Sequence, residues 1–175
     1  MFQPNRLLIL PVATLAAFAP AHAMVYLTVP QAQKLMFGEE ALTPLPIVLT
    51  KAQTAAIEKA SGVKVASPIL RVWRAANGYF FADAVIGKHE LINYAVGINQ
   101  EGEVRHIEIL EYREAHGGEI RNAAWRAQFD GKHYGDAVRL GEDIQGISGA
   151  TLSCEHVTDG IRRLLATYAI AIRSR

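Results

Sequence analysis

With 175 residues, half of them apolar, and a formal net charge of +1, the chain has enough material to bury the core of one domain. Its near-balanced charge writes in no pull toward nucleic acid or an anionic membrane surface. A single cysteine, Cys154, excludes an internal disulfide, and with no Cys-x-x-Cys-His around it covalent haem attachment is excluded too.

The N-terminus carries the three regions of a secretory signal peptide: basic Arg6, the apolar run Leu7 to Phe18, and the small-residue cleavage site Pro20-Ala21-His22-Ala23. The apolar run is shorter than the roughly 20 residues a bilayer span needs, and Pro11 and Pro20 punctuate it. Cleavage after Ala23 is therefore expected over retention as an anchor, which divides the chain into a signal at 1–23 and a mature domain from Met24 to Arg175. The mature protein is expected in the periplasm or otherwise exported, free or associated with the membrane. No cysteine follows the cleavage site, so a lipid anchor there is excluded.

A short helix is predicted around Gln31 to Phe37, then an extended piece over Pro44 to Leu49. Thr50-Lys51-Ala52-Gln53 has capping-box spacing and opens a helix that ends at Ser61-Gly62. Three β-rich runs follow, Ile69 to Ala75, Tyr79 to Ile86 and Leu91 to Ile98, with Asn77-Gly78 as a hairpin turn between the first two. After the turn Asn99 to Glu103, Val104 to Tyr112 alternates as a fourth strand; short turns between consecutive strands imply an antiparallel meander. Glu119 to Phe129 reads as a helix halted at Asp130-Gly131, and Ala137 to Leu140 as a short extended piece. The last helix, Ser153 to Ile172, aligns Val157, Ile161, Leu164, Leu165, Tyr168 and Ile172 on one face and turns Arg162, Arg163 and Arg173 away from it. The fold class is α+β: an antiparallel sheet flanked by helices, with a C-terminal amphipathic helix.

Most chemical motifs are excluded. Gly146-Ile147-Ser148-Gly149-Ala150 fails as a nucleophile elbow because Ala150 stands where glycine is needed. His89, His106, His116, His133 and His156 have no metal-ligand spacing, and Gly117-Gly118 lacks the dinucleotide fingerprint. What remains is Ser148-Gly149-Ala150-Thr151-Leu152-Ser153, small residues that leave the Thr151 hydroxyl clear at the mouth of the last helix. Such a hydroxyl is either an ordinary helix cap or the edge of a phosphate site, since orphan N–H groups and the helix dipole both favour an anion there.

Glu142 to Ser153 together with the helix behind it, and upstream Tyr112-Arg113-Glu114-Ala115-His116-Gly117-Gly118-Glu119-Ile120 and Gln128-Phe129-Asp130-Gly131-Lys132, resemble the FMN-binding domain. That domain occurs in one of the subunits of the sodium-translocating NADH:quinone reductase, in one of those of the Rnf electron-transport complex, and in small exported proteins. The resemblance covers about residues 85 to 170, so 24–84 is read as the N-terminal part of the mature domain and 85–175 as the FMN-binding core. It implies an FMN cofactor joined by a phosphoester to Thr151 by an ApbE-type flavin transferase that uses FAD and magnesium. Ser148, Gly149 and Ala150 would shape the phosphate turn, and Ser153 would cap the helix or bond the phosphate. Glu114 and His116 are candidates for the ring edge, Arg113 could stabilise a reduced anionic flavin, and Trp125 fits the core. One departure stands out: the family's aspartate six residues before the threonine is Gln145 here, with Asp143 the nearest acid. The implied role is electron carrier among membrane or periplasmic redox partners. A small flavin-dependent reductase and a non-redox structural domain are the alternatives, with no catalytic residue or metal assigned.

Overall fold

The computed structural model describes residues 24–173; the proposed signal peptide lies outside the described residues. In chain order the elements are β1 (Met24–Val25), α1 (Val29–Phe37), β2 (Thr43–Pro44), β3 (Ile47–Val48), α2 (Lys51–Ser61), β4 (Ile69–Leu70), β5 (Val72–Ala75), β6 (Gly78–Ile86), β7 (Leu91–Asn99), β8 (Val104–Tyr112), α3 (Ala123–Arg126) and α4 (Thr151–Thr167). A π-helical turn, Tyr168–Ile172, extends α4, and short 3-10 turns flank α3. The fold is α+β. Six strands form an antiparallel sheet in the order β1-β8-β7-β6-β5-β2, while β3 and β4 pair separately.

Alternation along β6 feeds both sheet faces. Phe81 joins the core against α4, whereas Phe80 and Ala82 join a second cluster with Ala32 and Phe37 of α1. On the next strands Tyr94, Val96, Ile107 and Ile109 pack toward α4, and Ala95 and Leu110 toward α1. A sheet covered on both faces explains strands that read as almost continuous apolar runs. Both α1 and α2 open on capping boxes, Thr28 with Gln31 and Thr50 with Gln53.

The meander β5 to β8 follows the sequence reading, but four local expectations are corrected. The run 69–75 splits at Arg71 between two sheets. The helix over 119–129 is broken at Asn122, whose ψ of 125° leaves the helix and whose side chain accepts from Ala124 N at 2.8 Å to restart it. Residues 137–140 form no strand: Val138 has φ +40°. Finally, α4 begins at Thr151, not at Ser153. Among the described residues no helix is long and apolar enough to cross a membrane.

Candidate functional site

The first turn of α4 carries the small-residue motif. Ala150 is the N-cap and has no side-chain oxygen to offer, so the amides of Thr151, Leu152 and Ser153 find no partner among the described residues. The turn is closed behind them, with Ala150 N donating to Ile147 O at 3.0 Å and Cys154 N to Ala150 O at 2.9 Å. Thr151 is exposed at the first helical position, Ser148 and Gly149 are exposed beside it, and Ala150 is buried. No acidic side chain lies in this first turn. Three free amides at a positive helix end, beside an accessible hydroxyl, suit a phosphate group.

Ser153 does not cap the helix. It is buried, and its hydroxyl lies 2.8 Å from the Tyr112 hydroxyl at the end of β8. Tyr112 donates its single proton to the His116 carbonyl, so Ser153 is the donor in the second bond. Burial is the largest influence on the Tyr112 phenol and raises it above the ordinary tyrosine range, keeping that proton in place. Gly117 closes the knot at φ +93°; a Cβ there would stand 2.5 Å from Tyr112 Oη and 2.8 Å from Ser153 Oγ. The loop 113–118 is thereby tied to the start of α4. Cys154, next along the helix, is fully buried, and burial raises its thiol.

The other candidates divide. His116 is exposed on the tied loop, near the motif through its carbonyl rather than through its ring. Glu114 serves the β6–β7 turn: its carboxylate accepts from His89 N at 2.5 Å and Glu90 N at 2.9 Å. Burial tends to raise that carboxyl, but the amides of Glu90, His89 and Lys88 outweigh it and hold it low. Arg113 is exposed and pairs with Glu111 at 2.9 Å. Trp125 is core, and its indole N–H donates to Gln145 O at 2.9 Å.

Residues 87–166 match the family model of the FMN-binding domain. An FMN-binding domain is present over these residues. No curated protein matches the chain. The FMN-binding domain takes in β7, β8, the Gly117 loop and most of α4, and β6, ending one residue before the match, pairs with β7 along its whole length.

Within the FMN-binding domain, Gln145 is clamped by its backbone: Trp125 and Gln128 hold its carbonyl, and its N–H donates to Gln128 Oε1 at 2.7 Å. Its side chain is free to face outward, and the residue is exposed. Asp143 cannot stand in for the missing acid. It accepts from Val138 N at 3.1 Å, Arg139 N at 2.8 Å and Lys132 Nζ at 3.0 Å. Burial tends to raise this carboxyl, yet the Arg139 amide, Lys132 and the Val138 amide together hold it below the ordinary aspartate range. Sequence reasoning missed Tyr112 and Gln128, because no local spacing links either to its partner on α4 or in the 145 loop.

Proposed function

We propose that this chain is an exported electron carrier whose FMN is joined through its phosphate to Thr151 Oγ. The carrying observation is the exposed Thr151 hydroxyl beside three unpartnered amides at the start of α4, inside an FMN-binding domain. An ApbE-type flavin transferase, with FAD and magnesium, would make the bond. Thr151 Oγ attacks the riboflavin-side phosphorus of FAD, the bond to the other phosphate breaks, AMP leaves, and the hydroxyl proton passes to a base on the transferase. Ser148, Gly149 and Ala150 shape the turn; the amides of 151–153 hold the phosphate oxygens. Bound FMN supplies one- and two-electron transfer, and the protein sets its position and exposure.

Support for a carrier comes from the openness of this surface. Thr151, Leu152 and His116 are all exposed, so a flavin resting on Leu152 and the 113–118 loop would be within reach of membrane or periplasmic redox partners. Intact-mass measurement of protein exported alongside the transferase tests the tether. The expected result is a gain equal to FMN minus water, absent in Thr151→Ala, on a chain beginning at Met24. An unmodified wild-type mass with no flavin released on denaturation overturns it. Bound flavin that no such redox partner reduces or reoxidises overturns the carrier role.

A further inference from the structure

A cavity of about 530 Å³ lies between α4, β6 and the segment 63–70 that leads from α2 to β4. That volume falls within the roughly 300–1,000 Å³ of small-ligand sites. Thr151 is not part of its lining. Leu49, Val65, Leu70, Phe81, Val85 and Leu164 give it apolar walls, and Phe81 is the one phenyl ring among them, so a flat aromatic ligand would find little to stack on. The cavity is elongated: Ala82 to Ile86 of β6 all line it, a run of about 13 Å at the rise of a strand. Its apolar rim lies open to solvent, with Ile69 and Ile86 each 65% exposed and Leu91, the cross-strand partner of Ile86, exposed beside them.

Charge is left over at one end of this trough. Both carboxylates in the lining are taken: Asp83 pairs with Arg163 at 2.7 Å, and Asp159 with Arg162 at 2.7 Å. Asp83 is further committed to Tyr94 Oη at 3.0 Å and to Ala84 N at 2.9 Å. His156 apart, the remaining ionisable group in the wall is Arg71, whose guanidinium has no ion pair among the described residues. Arg71 follows β4 directly, and its carbonyl accepts from Ala82 N at 2.9 Å, which sets it at the end of the run opposite Ile86. An apolar trough with one uncompensated cation at its end matches a ligand with a single anionic head and an apolar tail. The head gives Arg71 a counter-charge, and the tail covers Ile69, Ile86 and Leu91. A ten-carbon chain, extended about 11 Å at ordinary bond geometry, spans the distance.

We infer that this cavity binds an unbranched medium-chain alkyl carboxylate, its head at Arg71 and its chain along β6 toward Ile86 and Leu91. Thr151 and a flavin attached there take no part in the site. Calorimetric titration with decanoate, below its micelle-forming concentration, is expected to give one saturable site on flavin-free and flavin-loaded protein alike. Octanoate and then hexanoate should each bind about tenfold more weakly than the acid two carbons longer, the loss expected from two methylenes left unburied. Octanol, which lacks the charge, should bind more weakly than octanoate. Arg71→Ala should weaken the acids about fivefold and leave octanol unaffected, while Arg71→Lys keeps most of the affinity. Where Arg71→Ala fails to fold, nuclear Overhauser contacts from the decanoate chain to the methyls of Val65, Leu70 and Ile86 in the wild type carry the test. No saturable binding, affinity indifferent to chain length, octanol equal to octanoate, unchanged acid affinity in folded Arg71→Ala, or absence of those contacts overturns the proposal. Decanoate binding lost on flavin attachment also overturns it, assigning the cavity to the flavin ring.

Discussion

Glycine at position 149 answers a backbone demand rather than a need for clearance. Its φ is +85°, and a Cβ there would meet nothing within 4 Å. Gly149→Ala should therefore cost about 1–2 kcal/mol of left-handed strain without any clash. A melting temperature lower by roughly 2–8 °C is the expected readout for a domain of this size, together with slower modification of Thr151. Ala150 is small for the other reason, being buried. Gln145 permits a cleaner experiment, because its backbone is clamped while the residue stays exposed. Gln145→Asp restores the acid the family carries. At limiting transferase the variant should gain flavin mass faster than wild type; an unchanged rate would show that the transferase does not read this charge. The motif itself was legible because its residues are contiguous. The bond between Tyr112 and Ser153 was not, since those residues stand 41 apart.

Among the elements, α4 was the most legible, its apolar positions recurring at helical spacing and all ending buried. Periodicity misplaced Arg163, which is buried rather than turned away. A helix packed by the sheet on one side and α2 on another has too little free surface to keep every charge in water. The segment before α4 was the least legible, because its organiser is a side chain rather than a repeat. Asp143 gathers the amides of Val138 and Arg139, and Arg162 Nη1 donates to the Val138 carbonyl at 2.8 Å, which together hold a β-branched residue at positive φ. A carboxyl whose folded pKa lies below its unfolded value stabilises the fold above the unfolded pKa and loses that contribution as pH falls through the folded one. Asp143→Asn should then melt lower than wild type at neutral pH. The two melting curves should converge as pH falls below about 4, the ordinary aspartate range. A gap that persists undiminished into acid would refute the electrostatic origin.

At the scale of the molecule, the α+β class and the meander were readable from alternation and turn residues. The edge strands β1 and β2 and the separate β3–β4 pair were not, since two-residue strands carry no periodicity. The sheet also crosses the limit of the family match, and the Asp83–Arg163 pair joins β6, outside it, to α4, inside it. Asp83→Ala would leave Arg163 buried without a counter-charge, at a cost of about 3–5 kcal/mol. Chemical denaturation should show that loss as one cooperative transition; two separate transitions would mean that the regions fold independently.

If Thr151 carries the flavin as proposed, the tie between Tyr112 and Ser153 bears on the fidelity of its attachment. Three hydroxyls crowd the stretch from 148 to 153, and a transferase that mistook one for another would hang its cargo at the wrong angle. Ser153 is withdrawn from that competition, its proton committed to Tyr112 and its oxygen sealed against the Gly117 backbone. Of the two that stay accessible, only Thr151 stands on the helix itself. On the proposed tether, selectivity would come from hiding a rival as much as from presenting a target.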